Sequence, residues 1–192
     1  MTTDETGDIM GPMYPLISHD GALALKELAL PADAAVLDVG TGAGKFAIFL
    51  AQQGFDVLTG EPATDTSHYA GKDWADTATK MGVREKIRFE AFDANAMPFA
   101  AGAFDAVFFF GVLHHVDEDA REDVLSEALR VAGPGGAVVF FEPRQATLEK
   151  LWVSDPGHPL AAHPGDYLSG QPVKGQRIEG QMMDIFIYRN AA

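Results

Sequence analysis

A chain of 192 residues with no cysteine and a formal net charge of −14 is long enough to bury, as one domain, roughly 70% of the surface its unfolded form exposes. The composition excludes disulfides, thiolate metal sites and cysteine nucleophiles. So much acid, with no basic run to offset it, argues against phosphate backbones as partners.

The opening segment MTTDETGDIMGPM is acidic and lacks an apolar stretch, so no signal peptide is expected. Apolar residues at helical spacing predict a helix over 16–30, ending at Pro31. Val36 to Val39 follows as a first strand, and Lys45 to Gln53 as a helix closed by Gly54. Further strands are expected at Phe55 to Thr59, Ile87 to Phe92, Phe104 to Phe110, Ala137 to Glu142 and Met182 to Tyr188. Helices are expected near 72–81, 118–131 and 146–153. The longest apolar stretch, Ala106 to Leu113, falls far short of the roughly 20 residues a membrane helix needs. A soluble, cytoplasmic protein is the expectation, compatible with a homodimer and without nucleic-acid or membrane partners.

Apolar strands alternating with helices imply a doubly wound α/β fold, with a mostly parallel sheet covered on both faces. In such sheets ligands sit beyond the carboxyl ends of the strands. One domain over 1–192 is expected: an N-terminal cap and helix to residue 30, a core over 31–143, and a reduced C-terminal loop and final strand over 144–192.

The first strand runs into a loop with glycine at every second position, Gly40, Gly42 and Gly44. A phosphate-binding loop of the form G-x-x-x-x-G-K-[ST] fails, because Val39 stands where its first glycine belongs and Phe46 follows Lys45. A dinucleotide fingerprint is met by Gly42, Gly44 and Ala47, a weak pattern when alone. The combination that fits is DVGTGAG, with Asp38 two positions before the first glycine.

That stretch resembles the first motif of class I S-adenosylmethionine-dependent methyltransferases of the small-molecule type. The resemblance continues at later strand ends, through Glu61 in VLTGE, Asp93 in FDANAMPF, FDAVFFFGVLHHV and ALRVAGPGGAVVFFEP. It implies S-adenosylmethionine as cofactor, S-adenosylhomocysteine as product and a small-molecule methyl acceptor. It also implies Asp38, Gly40, Thr41, Gly42 and Gly44 at the cofactor's amino-acid end, Glu61 on the ribose diol, and Asp93 with Ala94 at the adenine. Pro62 either packs on that ring or ends its strand. The (N/D)-P-P-(Y/F) tetrapeptide of nucleic-acid amine methyltransferases is replaced here by FFFG and its sequel, a further argument for a small acceptor. A cofactor-binding protein without transferase activity is the alternative.

His114 and His115 follow the fourth strand, near where the family's methyl group points, and are the candidates for taking a proton from the acceptor or orienting it. Tyr14 is a candidate for closing over the site. Phe108, Phe109 and Phe110 alternate faces in a strand, so only Phe110, at its end, is a candidate for contact with the cofactor. His158 and His163 lie among prolines and glycines with no recognisable ligand spacing. They read as surface-loop residues, and no metal site is expected.

Overall fold

The computed structural model describes residues 3–66, 70, 72–168 and 170–190. Among these residues seven strands form one sheet in the order β3-β2-β1-β4-β5-β7-β6. Strands β1 (Val36–Val39), β2 (Val57–Gly60), β3 (Ile87–Phe89), β4 (Ala106–Phe110) and β5 (Ala137–Pro143) are parallel; β7 (Met183–Asn190) runs antiparallel to β5, and β6 (Val173–Glu179) antiparallel to β7. The chain runs outward from β1 to β2 and β3 and then crosses back to β4 on the other side of β1, a switch point that opens a crevice beyond the carboxyl ends of β1 and β4.

Strand alternation divides the core. Val36, Phe108, Val139 and Ile185 point to the side covered by helices α2 (Tyr14–Leu28) and α3 (Lys45–Gln52); Leu37, Phe109, Val138 and Phe140 point to the side covered by α5 (Arg121–Ala132). Phe108 and Phe109 therefore sit in different clusters, as a pleated strand requires. Phe46, at the start of α3, gathers the first cluster, its ring centroid 4.8 Å from Phe110, 5.0 Å from Phe141 and 5.6 Å from Phe108. Burying each such ring stabilises the fold by roughly 1.5–3 kcal/mol. Among the described residues no helix is long and apolar enough to cross a membrane.

Three departures from the sequence expectation have physical causes. The N-terminal segment forms a helix of its own, α1 (Thr3–Met10), and α2 begins two residues earlier than the apolar periodicity suggests, with Pro15 in its first turn. Strand β3 has only three residues, because the chain turns away after Phe89. The C-terminal part is a two-stranded addition rather than a loop and one strand. Its outer strand β6 reads VKGQRIE and is largely exposed, so it lacks the apolar alternation that would announce it. Lys174 and Arg177 on that strand blunt the sheet edge against further pairing.

The turn joining β6 to β7 lies at the carboxyl edge of the sheet, since Met183 pairs with Pro143. Asp20 of α2, fully buried, reaches it: its carboxylate accepts the backbone N–H groups of Gln181 at 2.6 Å, Met182 at 2.9 Å and Met183 at 2.8 Å. Gly180 allows the approach, because a Cβ there would stand 2.6 Å from the Asp20 carboxylate. One buried acid thus couples α2 to the last hairpin at the carboxyl edge of the sheet. Helix α4 (Trp74–Lys80), capped by Asp73, closes the opposite flank, and α6 (Gln145–Ser154) follows β5.

Candidate functional site

The glycine loop is built for close backbone approach. Gly40, Gly42 and Gly44 have φ of 88°, 49° and 70°, the left-handed region that a side chain disfavours. A Cβ at Gly40 would fall 2.5 Å from Val112 Cγ2, and one at Gly44 would fall 2.6 Å from Trp74 Cβ. The loop is therefore held between the segment after β4 and the first residue of α4, and Gly44 doubles as the N-cap of α3.

Its polar groups are wired to β2. Asp38, buried in β1, accepts the Thr59 hydroxyl at 2.8 Å, and the Thr59 and Thr41 hydroxyls lie 2.9 Å apart. Glu61, just past β2, accepts the Gly42 N–H at 2.8 Å. Burial pushes the Asp38 carboxyl up to about 7; the Thr59 hydroxyl works against that and the charge of Glu61 adds to it. Gly60 is confined between them, with its carbonyl accepting the Gly40 N–H at 2.8 Å. No motif in the sequence singles out Thr59 or Gly60.

The adenine-side candidates stand at the same edge. The Phe92 N–H donates to the Glu61 carbonyl at 3.3 Å, which seats the next residue, Asp93, beside that acid. Asp93 is exposed in a tight turn bridged to Ala96, while Ala94 and Pro62 are half-buried. Phe110 is half-buried at the end of β4 and stacks on Phe46. Tyr14 is not brought to this edge. Its ring is buried against α3, and its hydroxyl donates to Gln52 Oε1 at the far end of that helix, a full helix length from the loop. Tyr14 is thus a packing residue between α2 and α3, and burial raises its phenol above the ordinary value.

Beyond β4 the chain makes a short 3₁₀ turn, Leu113–His115. His114 is buried, and its Nδ1 lies 2.9 Å from Oε2 of Glu142, which also accepts the Ala162 N–H at 2.9 Å. His158 is not a surface-loop residue: it is 8% exposed, with its ring 5.2 Å from His114 and 5.0 Å from His115. His163 is exposed, as expected. His115 is also exposed, and its ring centroid is 4.3 Å from that of His114. Partial desolvation, then the neighbouring His114 and His158, hold its imidazole down at about 4, with Asp155 and Asp65 opposing. Two sequence signals for this cluster went unread: a carboxylate inside the apolar run AVVFFEP, and Asp155 three residues before His158.

The chain matches, over residues 36–136, the family model described as a methyltransferase domain. That is more than half of the 192 residues. The chain belongs to the methyltransferase-domain family. It is similar to the 27-O-demethylrifamycin SV methyltransferase of Amycolatopsis mediterranei, 33% identical over 126 residues, or 64% of this chain and 44% of that protein. A demethylmenaquinone methyltransferase of Renibacterium salmoninarum is 37% identical over 109 residues, or 56% of this chain and 40% of the relative. The matched segment thus spans less than half the length of these relatives. In fold, the chain is similar to a structure from Methanococcus maripaludis described as an S-adenosyl-L-methionine-dependent methyltransferase, with a TM-score of 0.73 at 14% identity, covering 98% of this chain and 90% of that one. Sheet order, loop and family match agree on the class I type, whose cofactor is S-adenosylmethionine.

Proposed function

We propose that this chain binds S-adenosylmethionine at the glycine loop and transfers its methyl group to a small molecule, releasing S-adenosylhomocysteine. The observation that carries the reading is the wired loop within a methyltransferase-domain match: left-handed glycines, with the Cβ positions of Gly40 and Gly44 already filled, tied through Thr41 and Thr59 to the buried Asp38 and through the Gly42 N–H to Glu61. In it, Gly40, Thr41, Gly42 and Gly44 meet the cofactor's amino-acid end, and Asp38 faces its ammonium group. Glu61 takes the ribose diol. Pro62, Asp93 and Ala94 flank the adenine, and Phe110 lies toward the sulfonium. His114 and His115 face the acceptor. The net charge of −14 supports a small acceptor over a nucleic acid.

The sulfonium supplies an activated methyl group for in-line displacement. What the chain adds is alignment and exclusion of water, and such positioning contributes roughly 7–11 kcal/mol. Calorimetry should show S-adenosylmethionine and S-adenosylhomocysteine binding and NAD failing to bind; NAD binding alone would overturn the assignment. Glu61→Ala should weaken S-adenosylhomocysteine about tenfold to a hundredfold, the value of a charged hydrogen bond at roughly 1.5–3 kcal/mol. Incubating metabolite extracts with methyl-labelled cofactor then identifies the acceptor by mass spectrometry. A bound cofactor with no labelled product would leave a binding protein without transferase activity.

Asp38 makes cofactor affinity depend on pH. With its carboxyl raised to about 7 by burial, the empty protein carries it protonated at pH 6. Its contribution to folding is fully present below the unfolded value and is lost as pH rises through 7. An ammonium ligand prefers the ionised form, so binding releases a proton and strengthens about tenfold from pH 6 to pH 8. Titration calorimetry at both pH values checks this. Asp38→Asn should flatten the profile, and a flat profile in the unsubstituted protein would refute the link.

A further inference from the structure

We propose that His114, His115 and His158 form a binding site for one divalent transition-metal ion of the zinc class, with Glu142 and Asp155 as the carboxylates that orient two of the ligands. The three rings come from separate places, the turn after β4 and the segment after α6, yet one nitrogen of each lies within 4.8 Å of the others. Around a tetrahedral ion with nitrogens at ~2.0–2.1 Å, the ligand atoms stand about 3.4 Å apart. Closing from the observed spacing needs each nitrogen to shift by about an ångström.

Outer groups complete the design. The Nδ1 of His114 faces Glu142 Oε2 at 2.9 Å, and the Nδ1 of His158 faces Asp155 Oδ2 at 3.3 Å. A carboxylate on Nδ1 holds the proton there and leaves the Nε2 lone pair for an ion, the arrangement by which metal-binding histidines are oriented and made more basic. Glu142 is 1% exposed, and its Oε1 receives no hydrogen bond among the described residues, so the site carries buried negative charge that a dication would compensate. Three neutral imidazoles with no thiolate suit zinc, cobalt or nickel rather than magnesium or calcium, which prefer oxygen.

Three protein ligands leave a coordination position open. The His114 ring lies beside Gly111, one residue past Phe110; a Cβ built on Gly111 would stand 3.9 Å from its Cε1. An acceptor's oxygen, sulfur or nitrogen bound to the ion at the open position would lose its proton more easily. That use rests on the methyl-transfer reading, whereas the site itself does not. With an ion bound, the imidazoles would act as ligands rather than as bases, and the acceptor's proton would pass to solvent water.

The test strips the full chain with chelator and titrates it with cobalt(II) chloride, following the visible absorption of four-coordinate cobalt, with elemental mass spectrometry of zinc-loaded protein as the count. One equivalent per chain is expected. His158→Ala should abolish the cobalt absorption, and Glu142→Gln, which keeps the side-chain volume, should weaken the metal about tenfold to a hundredfold. Both variants should retain S-adenosylhomocysteine binding, which shows that they fold. Substoichiometric cobalt in a chain that binds S-adenosylhomocysteine, or undiminished cobalt in His158→Ala, overturns the site. Metal binding without S-adenosylhomocysteine binding would sink the cofactor assignment and leave the metal site standing.

Discussion

Gly60→Ala is expected to lower cofactor affinity by more than about a hundredfold and to destabilise the chain by about 3 kcal/mol, the upper range for overpacking a filled site. A Cβ at Gly60 would lie 2.0 Å from the carbonyl oxygen of Glu90 and 2.3 Å from the ring of Phe92. The first of these is backbone, so a rotamer change cannot relieve it. Relief requires β2 and the chain after β3 to separate, in a place where the Glu90 N–H donates to the Thr59 carbonyl at 3.0 Å and the Gly40 N–H donates to the Gly60 carbonyl at 2.8 Å. The two residues flanking Gly60 carry the site: Thr59 holds Asp38, and Glu61 holds Gly42. A displacement of β2 therefore disturbs both the Asp38 and the Glu61 ends of the proposed cofactor site together. Glu61→Ala provides the contrast, since it should weaken binding with little change in melting temperature. Denaturant unfolding and titration calorimetry on the two variants distinguish them. If Gly60→Ala bound S-adenosylhomocysteine as tightly as the unsubstituted chain, the clash would have been absorbed elsewhere and this account of β2 would fail.

What could be read from the residues was local in sequence. Val36 to Gly44 announces a buried strand, a positive-φ loop and an acid within nine positions, and the structure assembles these parts as the spacing implies. The alternation of Phe108 and Phe109 was legible for the same reason, because pleating follows from the chain alone. The histidine cluster was not. His158 lies 43 positions after His115, and only the return of the chain past β5 and α6 brings them together. Proline and glycine around it suggest a surface loop, whereas the chain turns back there and the imidazole is buried. Tyr14 failed in the opposite direction: its place just before a predicted helix suggested a lid, but its ring is buried in the α2–α3 interface. Strand β6 was invisible because an edge strand needs polar residues to stay unpaired, which removes the periodicity used to find strands.

Asp20 illustrates the same limit with the largest expected effect on stability. It lies in the helical stretch LISHDGALAL, where an acid facing solvent would be unremarkable, and its partners are 161 to 163 residues away. Asp20→Ala leaves three backbone N–H groups at the β6–β7 turn without their acceptor, two of those hydrogen bonds being fully buried. An unsatisfied buried donor costs about 1–3 kcal/mol, so a total on the order of 4 kcal/mol is expected after water reaches the most accessible of the three. That is a large share of the roughly 5–15 kcal/mol that holds a domain folded. The loss should not be uniform. Arg144 also grips the turn, its guanidinium donating to the Gly180 carbonyl at 2.8 Å and its N–H to that of Met182 at 3.1 Å, so the hairpin should stay paired with β5 while its tip loosens. Hydrogen exchange should therefore accelerate first at residues 181–183 and along α2, and reach β1 and β4 only with global unfolding. Asp20→Asn retains the shape and one acceptor oxygen, and should recover part of the loss. Equal protection at the turn in Asp20→Ala and the unsubstituted chain would show that the carboxylate is not what fastens α2 to the carboxyl edge of the sheet.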